Sequence, residues 1–303
     1  MTTEVKAAAE ERIARLIGGI TKLPTPPVVF TQIQKVLNNP NNSAYDIAAI
    51  LQEDPAISAQ VLKITNSAYY GLSRPVDSVK QAVIIVGLDS IKNLVLSVSV
   101  VGAFKGHKLD QEYQDYFWRH SLGVALAARV VGYKVNGANH FDPEGGFSAG
   151  LLHDIGKMVI AVYMSDQFEE IKNVKQDNPG VPEYLIEEKI IGCSHADIGA
   201  LLAGQWKLSE KLVDAIRYHH FPESSEIENS SMPYQINIAD YLSKYTFEYD
   251  PEQEQGPPDL EPLSKHVLDY AGVTQEQANG LTNRIREEFF KSETFLELTR
   301  AQS

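Results

Sequence analysis

His153 and Asp154 stand side by side, delivered by the apolar run Phe147-Ser-Ala-Gly-Leu-Leu152 and followed by Gly156 and Lys157. Burying an imidazole next to a carboxylate is costly unless something compensates them. A divalent metal is the natural compensation, because imidazole nitrogen and carboxylate oxygen are standard ligands of Zn, Mn and Fe. Four more histidines fall in helical contexts: His120 before Leu122-Gly-Val-Ala, His195 before Ile198-Gly-Ala-Leu-Leu, and the pair His219-His220. Asp240 closes the otherwise apolar Ile236-Asn-Ile-Ala. One ionic centre, or a pair, inside a helical bundle would use all of these groups. Neighbours on a helix project about a quarter turn apart, so Asp154 can bridge two ions with one oxygen to each, while His153 binds one. His219-His220 can serve the second ion in the same way. Taken singly, a helical histidine is more often a hydrogen-bonded residue than a ligand, and His107, His140 and His266 are read so. Phe117, Trp118 and Trp206 read as core, and Cys193 as a small core residue two positions before His195.

The elements that must hold these groups read as helices throughout. Apolar stripes predict helices over 4–20 and from Val28 to Leu37, with Lys22-Leu-Pro-Thr-Pro-Pro27 between them, where prolines stop the first. Asn38–Asn42 is a turn, and Ser43 with Asp46 forms a capping pair. Asp54-Pro55 starts a helix that Gly71 ends. Gly87 breaks the next segment from a strongly apolar helix over Ile91–Phe104. A long helix from Tyr113 to about Val135 carries His120 and a small-residue seam of Gly123, Ala125, Ala127 and Ala128. Residues 136–146 read as a loop, followed by one helix carrying His153 and Asp154 and an acidic helix near Asp166–Lys175. Helices then follow over Glu183–Ile191, His195–Trp206, Glu210–His220 and Tyr234–Phe247. Tyr249–Pro262 is an acidic connection, and two helices, about 262–271 and 274–299, complete the chain. The expectation is an all-α helical bundle with two subdomains: an N-terminal helix at 1–20, a first helical subdomain at 21–106, a ligand-bearing subdomain at 107–247, and a linker with helices at 248–303.

Composition narrows the function classes. The formal net charge is −13, which argues against a nucleic-acid surface. The same charge repels phosphorylated ligands unless bound metal reverses the local sign. A single cysteine excludes an intrachain disulfide and fits a reducing compartment. No apolar stretch is long enough to span a membrane and no secretory signal opens the chain, so a cytoplasmic protein is expected.

Residues 115–245 resemble an HD-superfamily domain, the helical fold of metal-dependent phosphohydrolases. Leu23-Pro-Thr-Pro-Pro27, Gln52-Glu-Asp-Pro55, Thr65-Asn-Ser-Ala-Tyr-Tyr-Gly71 and Ala82-Val-Ile-Ile-Val-Gly-Leu88 are similar to the N-terminal half of the HDOD (HD-related output domain) family. The resemblance covers about residues 20–245. HDOD proteins are usually described as signalling modules with degraded metal ligands, yet this sequence keeps them. His120, His153-Asp154 and Asp240 match the common HD site. His195 and His219-His220 match the extra histidines of the HD-GYP branch, the cyclic-dinucleotide phosphodiesterases. The resemblance implies a first metal on His120, His153, Asp154 and Asp240 and a second on Asp154, His195, His219 and His220. It gives Lys157 the role of approaching substrate phosphate, and Asp154 and Lys157 the catalytic part. Phe221-Pro-Glu-Ser-Ser replaces the GYP triplet, and Tyr116 stands where some members carry a glutamate supporting a third metal.

The expected function is therefore a metal-binding HDOD signalling protein with metal-dependent phosphohydrolase or phosphodiesterase capacity. It would hold two divalent transition ions (Fe, Mn, Zn or Ni) and act on a phosphate-containing small molecule. The alternative is a non-catalytic signal-transduction or protein-interaction module whose metal site is structural or sensory. A protein partner is expected in either case; nucleic acid and membrane are not.

Overall fold

The structure, a computed structural model, describes residues 24, 28–37, 43–135, 141–247 and 260–300. The expected helix over 4–20, the turn at 38–42 and most of the acidic connection after Tyr249 lie outside the described residues. Among the described residues every regular element is helical.

Side chains that accept the free N–H groups of a first turn decide where several of the helices begin. After α1 (Val28–Leu37), Ser43 donates its backbone N–H and hydroxyl to Asp46 at the start of α2 (Ala44–Gln52). Asp54 accepts from Ala56 and Ile57 to open α3 (Pro55–Thr65), and Ser78 accepts from Gln81 to open α4 (Val79–Val86). α5 (Leu88–Ala103) follows directly after Gly87, with the Val98–Val101 stretch helical inside it. Asp110 accepts from Glu112 and Tyr113 at the head of the 24-residue α6 (Gln111–Lys134).

α6 is the axis of the second half. The helices α7 (Pro143–Leu152), α13 (Met232–Phe247), α15 (Gln275–Lys291) and α16 (Glu293–Arg300) all pack on it. Its small-residue seam is buried and lets α7 approach closely: a Cβ on Gly150 would lie 2.8 Å from the backbone of Ala125. Between α7 and α13 run α8 (Ile155–Tyr163), α9 (Ser165–Asp177), α10 (Glu183–Ile190), α11 (His195–Gln205) and α12 (Glu210–Tyr218), and α14 (Lys265–Ala271) precedes α15. Among the described residues no single helix is long and apolar enough to cross a membrane. Pro143–Tyr163 with Ser165–Asp177 reaches that length only jointly, and the two are bent by 116°.

Four boundaries differ from the sequence reading. The helix opened by Pro55 ends at Thr65 rather than at Gly71, where the Asn66 amide turns away to accept from the Val76 N–H and donate to the Val76 carbonyl. Residues 143–146 are helical rather than loop, because Asp142 caps the first turn and Pro143 occupies a position where its missing N–H costs nothing. The final helix is split at Ser292, whose N–H and hydroxyl both turn back to the Phe289 carbonyl. The apolar segment around His153 and Asp154 is interrupted at those two residues, with consequences for their geometry.

Candidate metal centre

Six helices or their ends deliver the seven candidate ligands. His120 lies within α6 and Asp240 within α13. His153 closes α7, and Asp154 joins it to α8. His195 is the first residue of α11, fixed by the capping box between Ser194 and Asp197. His219 and His220 directly follow α12. Gly156, in the first turn of α8, touches α11 so closely that a Cβ there would overlap the His195 carbonyl. That contact brings the Asp154 and His195 helix ends together, which explains a glycine two residues after the aspartate.

The ligand atoms form two groups sharing Asp154. Around Oδ2 lie His120 Nε2 and His153 Nε2, each at 3.5 Å, and His120 Nε2 is 3.4 Å from Asp240 Oδ1. The two imidazole nitrogens are 3.3 Å apart. Around Oδ1 lie His195 Nε2 at 3.0 Å and His219 Nε2 at 3.6 Å, with His220 Nε2 3.0 Å from His195 Nε2. A tetrahedral ion with bonds of about 2.1 Å separates its ligand atoms by about 3.4 Å, so both groups have the spacing of a coordination shell.

The chemistry of these atoms fits a cation. Nδ1 of His153 donates to the Gly150 carbonyl, Nδ1 of His219 to the Ile216 carbonyl, and Nδ1 of His195 to Glu187 Oε2, each at 2.7 Å. In the neutral tautomer these bonds select, His153 and His219 turn an Nε2 lone pair inward towards Asp154, whereas protonated His195 aims Nε2–H at Asp154 Oδ1. His219 Nε2 is buried without a hydrogen-bond partner, 3.6 Å from an Asp154 Oδ1 whose near neighbour is the His195 proton. Lone pairs facing lone pairs in a buried site call for positive charge between them.

Titration behaviour follows the same surroundings. Burial holds His153 down at about 4 despite Asp154, and holds His220 at about 3 with help from His195. His219 is lowered well below the usual range by burial and by the neighbouring His220. These imidazoles are neutral ligands at neutral pH. Burial also opposes charge on His195, but Glu187 and Asp154 outweigh it and lift His195 to about 10. In metal-free protein a proton on His195 thus stands in for a cation, and an ion must displace it. Burial works against ionised Asp154 as well, yet His153, Lys157 and His195 hold it well below the ordinary carboxylate range. Asp240 is at about 2, burial being outweighed by Lys244 and His120.

The cluster lies at the bottom of an open cleft of about 410 Å³. Lys157, Lys175 and Lys244 line it, together with Tyr113, Tyr116 and Tyr184. Lys157 Nζ is 2.8 Å from Asp154 Oδ2 and 3.4 Å from Glu183 Oε2, and Lys244 Nζ is 3.2 Å from Asp240 Oδ2. Tyr116 stacks parallel to His120 at 6.4 Å. His266 lies away from the cluster beside the Tyr234 hydroxyl, and His107 against Tyr163. His140 is outside the described residues. Trp206 and Cys193 are buried, with the indole N–H donating to the Pro24 carbonyl.

Glu187 is the functional residue that the sequence reading misses. It is 1% exposed and accepts from both the backbone N–H of His195, at 2.6 Å, and its Nδ1. The available signal is helical phase: Glu183 and Glu187 lie one turn apart on α10, and both turn towards the site. Lys244 carries a similar signal, one turn after Asp240.

Comparison with known proteins gives a consistent picture. The family model of the HDOD domain matches residues 23–222. The fold is similar to a structure from Shewanella amazonensis SB2B described as a candidate phosphohydrolase, with TM-score 0.74 and 24% identity over 94% of this chain and 98% of that one. It is also similar to an HDOD domain protein of unknown function from Geobacter sulfurreducens, with TM-score 0.70 and 25% identity over 97% of each chain. An uncharacterized protein of Treponema pallidum (strain Nichols) is 23% identical over 290 residues, 96% of this chain. The chain spans 54% of that relative's length.

Proposed function

The chain belongs to the HDOD family, and from that premise we propose that it is a metal-binding signalling protein whose centre holds two divalent transition ions and hydrolyses phosphoesters. The observation that carries this reading is Asp154, whose two oxygens face separate groups of imidazoles at coordination spacing. His120, His153 and Asp240 would hold one ion, and His195, His219 and His220 the other, with Asp154 between them.

Ions in this arrangement supply charge neutralisation at phosphoryl oxygens and activation of water. The chain's own residues do the rest. Glu187 orients His195 through two short hydrogen bonds, so that Nε2 stays aimed at Asp154. Lys157 rests on Asp154, where its charge is held well above the usual range because the carboxylate outweighs burial. With Asp154 engaged as a ligand, that ammonium would be released to meet a phosphate oxygen, and Lys175 and Lys244 would lie beside it along the cleft wall. Those three lysines are balanced by Asp154, Glu183 and Asp240 in the lining, so bound ions would supply the positive surplus that favours an anion in a protein of net charge −13. Tyr116 supplies an aromatic face beside His120 instead of a carboxylate, which favours two ions over three.

Hydrolysis of bis(4-nitrophenyl) phosphate by purified protein with Mn²⁺ or Fe²⁺ tests the reading. Turnover that requires metal, disappears in H153A and D154A, and falls about a hundredfold in K157Q at unchanged metal content is expected. Full metal loading with no turnover on this ester or on natural phosphodiesters would replace hydrolysis with the non-catalytic reading, in which the centre is structural or sensory.

A further inference from the structure

A second cavity, of about 490 Å³, shares no lining residue with the metal cleft. It opens about two to four turns further along α6 than His120, between the C-terminal part of α6, the turn that follows α3, and α15. Its volume falls in the range of about 300–1,000 Å³ usual for small-molecule sites. Its walls carry Tyr69 and Tyr70, from the Thr65–Gly71 motif that the metal centre leaves unused, together with Tyr133.

The cations here are arranged around those rings. The Arg129 guanidinium lies 5.7 Å from the Tyr69 ring centre and 5.8 Å from that of Tyr133, donates to the Tyr69 hydroxyl, and pairs with Glu144 at 3.0 Å. Lys134 and Arg284 stand exposed on the rim, Arg284 paired with both Glu287 and Glu288 at 3.0 Å. Three cations here meet three carboxylates, Glu144, Glu287 and Glu288, so the rim is balanced within a chain of net charge −13, and Lys134 is its exposed ammonium. Burial holds the Tyr69 hydroxyl at about 12, so it stays a neutral donor. Tyr133 is 56% exposed, leaving ring surface at the mouth for a planar group. Aromatic surface beside guanidinium and ammonium groups is the combination that holds a base by stacking and a phosphate by charge.

We propose that this cavity is a binding site for a nucleoside monophosphate, its base against Tyr133 and its phosphate on Lys134 and Arg284. The site is independent of the metal centre and its chemistry.

Calorimetric titration of the full-length, metal-loaded protein with AMP and with GMP tests this, with adenosine and inorganic phosphate as separate arms. Saturable binding of at least one nucleotide is expected, with adenosine and phosphate each about tenfold weaker or more. The double variant K134E/R284E changes two exposed positions and should weaken binding about tenfold or more. Y133A should weaken it about tenfold by removing the stacking surface. Metal content should stay unchanged in both variants, and binding should be unaffected by K157Q, which alters only the other cleft. Absence of binding by either nucleotide at about 1 mM would overturn the proposal. So would undiminished affinity in K134E/R284E and Y133A, or phosphate alone binding as tightly as the nucleotides.

Discussion

Around Asp154 Oδ1, His195 and His219 are each 1% exposed, and their rings are pinned through Nδ1 by Glu187 and by the Ile216 carbonyl. Around Oδ2, only His153 is closed off and pinned in that way; His120 and Asp240 keep 15% and 17% of their side-chain surface exposed and project from the interiors of α6 and α13. One group is assembled from helix ends and short hydrogen bonds that exist before any ion arrives. The other depends on two long helices holding their registry. Preorganisation reduces the cost of ordering ligands, so the Oδ1 group should bind the tighter ion and the Oδ2 group the more exchangeable one.

Removing the shared residue erases the distinction altogether. D154A should lose both ions and all metal-dependent hydrolysis, at least about a thousandfold, and should melt at a lower temperature because bound metal stabilises the folded state. Elemental analysis and thermal melting check this; retained metal in D154A would mean that the two groups do not share an anchor. Next come the single-sided substitutions. D240N should cost the exchangeable ion and leave the tight one, whereas H219A should do the reverse, read as metal content after graded chelation.

Glu187 sharpens the comparison at smaller scale. E187Q keeps the shape but removes the charge that stabilises His195, so affinity at the tight ion alone should fall about 10- to 100-fold. Equal weakening of both ions would show that α10 supports the whole cluster rather than one side. The smallest effect is a pH slope in chelator-treated protein. The unfolded chain takes up protons near pH 6.5, while folded His153 resists until about 4 and His220 until about 3. Acidification from pH 6.5 to 5 therefore favours the unfolded state, by at least about 1 kcal/mol per pH unit. Folded His195, held at about 10, keeps its proton throughout, so it opposes this slope near pH 6.5, where the unfolded imidazole is about half protonated, and adds none by pH 5; its own contribution is lost as pH rises from 6.5 towards 10. Urea melts across this range measure the slope, and metal should flatten it.

Much of this arrangement was legible in the residues themselves. Ionisable groups in apolar helices must find one another, and His120, His153, Asp154, His195, His219, His220 and Asp240 do converge. All-helical architecture followed from apolar spacing and from caps such as Asp54, Ser78 and Asp110. The break between α7 and α8 was not legible. An uninterrupted apolar run reads as one helix, yet the His153 ring takes the Gly150 carbonyl at the point where the helix stops. That break matters, because it lets the adjacent residues His153 and Asp154 direct their ligand atoms into a shared centre. Glu187 was hidden for a different reason: an acidic residue on a mixed helix looks solvated until the partner eight residues later is folded onto it.

The most direct measurement is anomalous scattering from crystals of the purified protein, recorded at the absorption edges of Mn, Fe, Ni and Zn. Two peaks per chain are predicted, one on each side of the Asp154 carboxylate, with His120, His153 and Asp240 around the first and His195, His219 and His220 around the second. A single peak held without Asp154, or no peak in protein purified without chelator, would contradict the account.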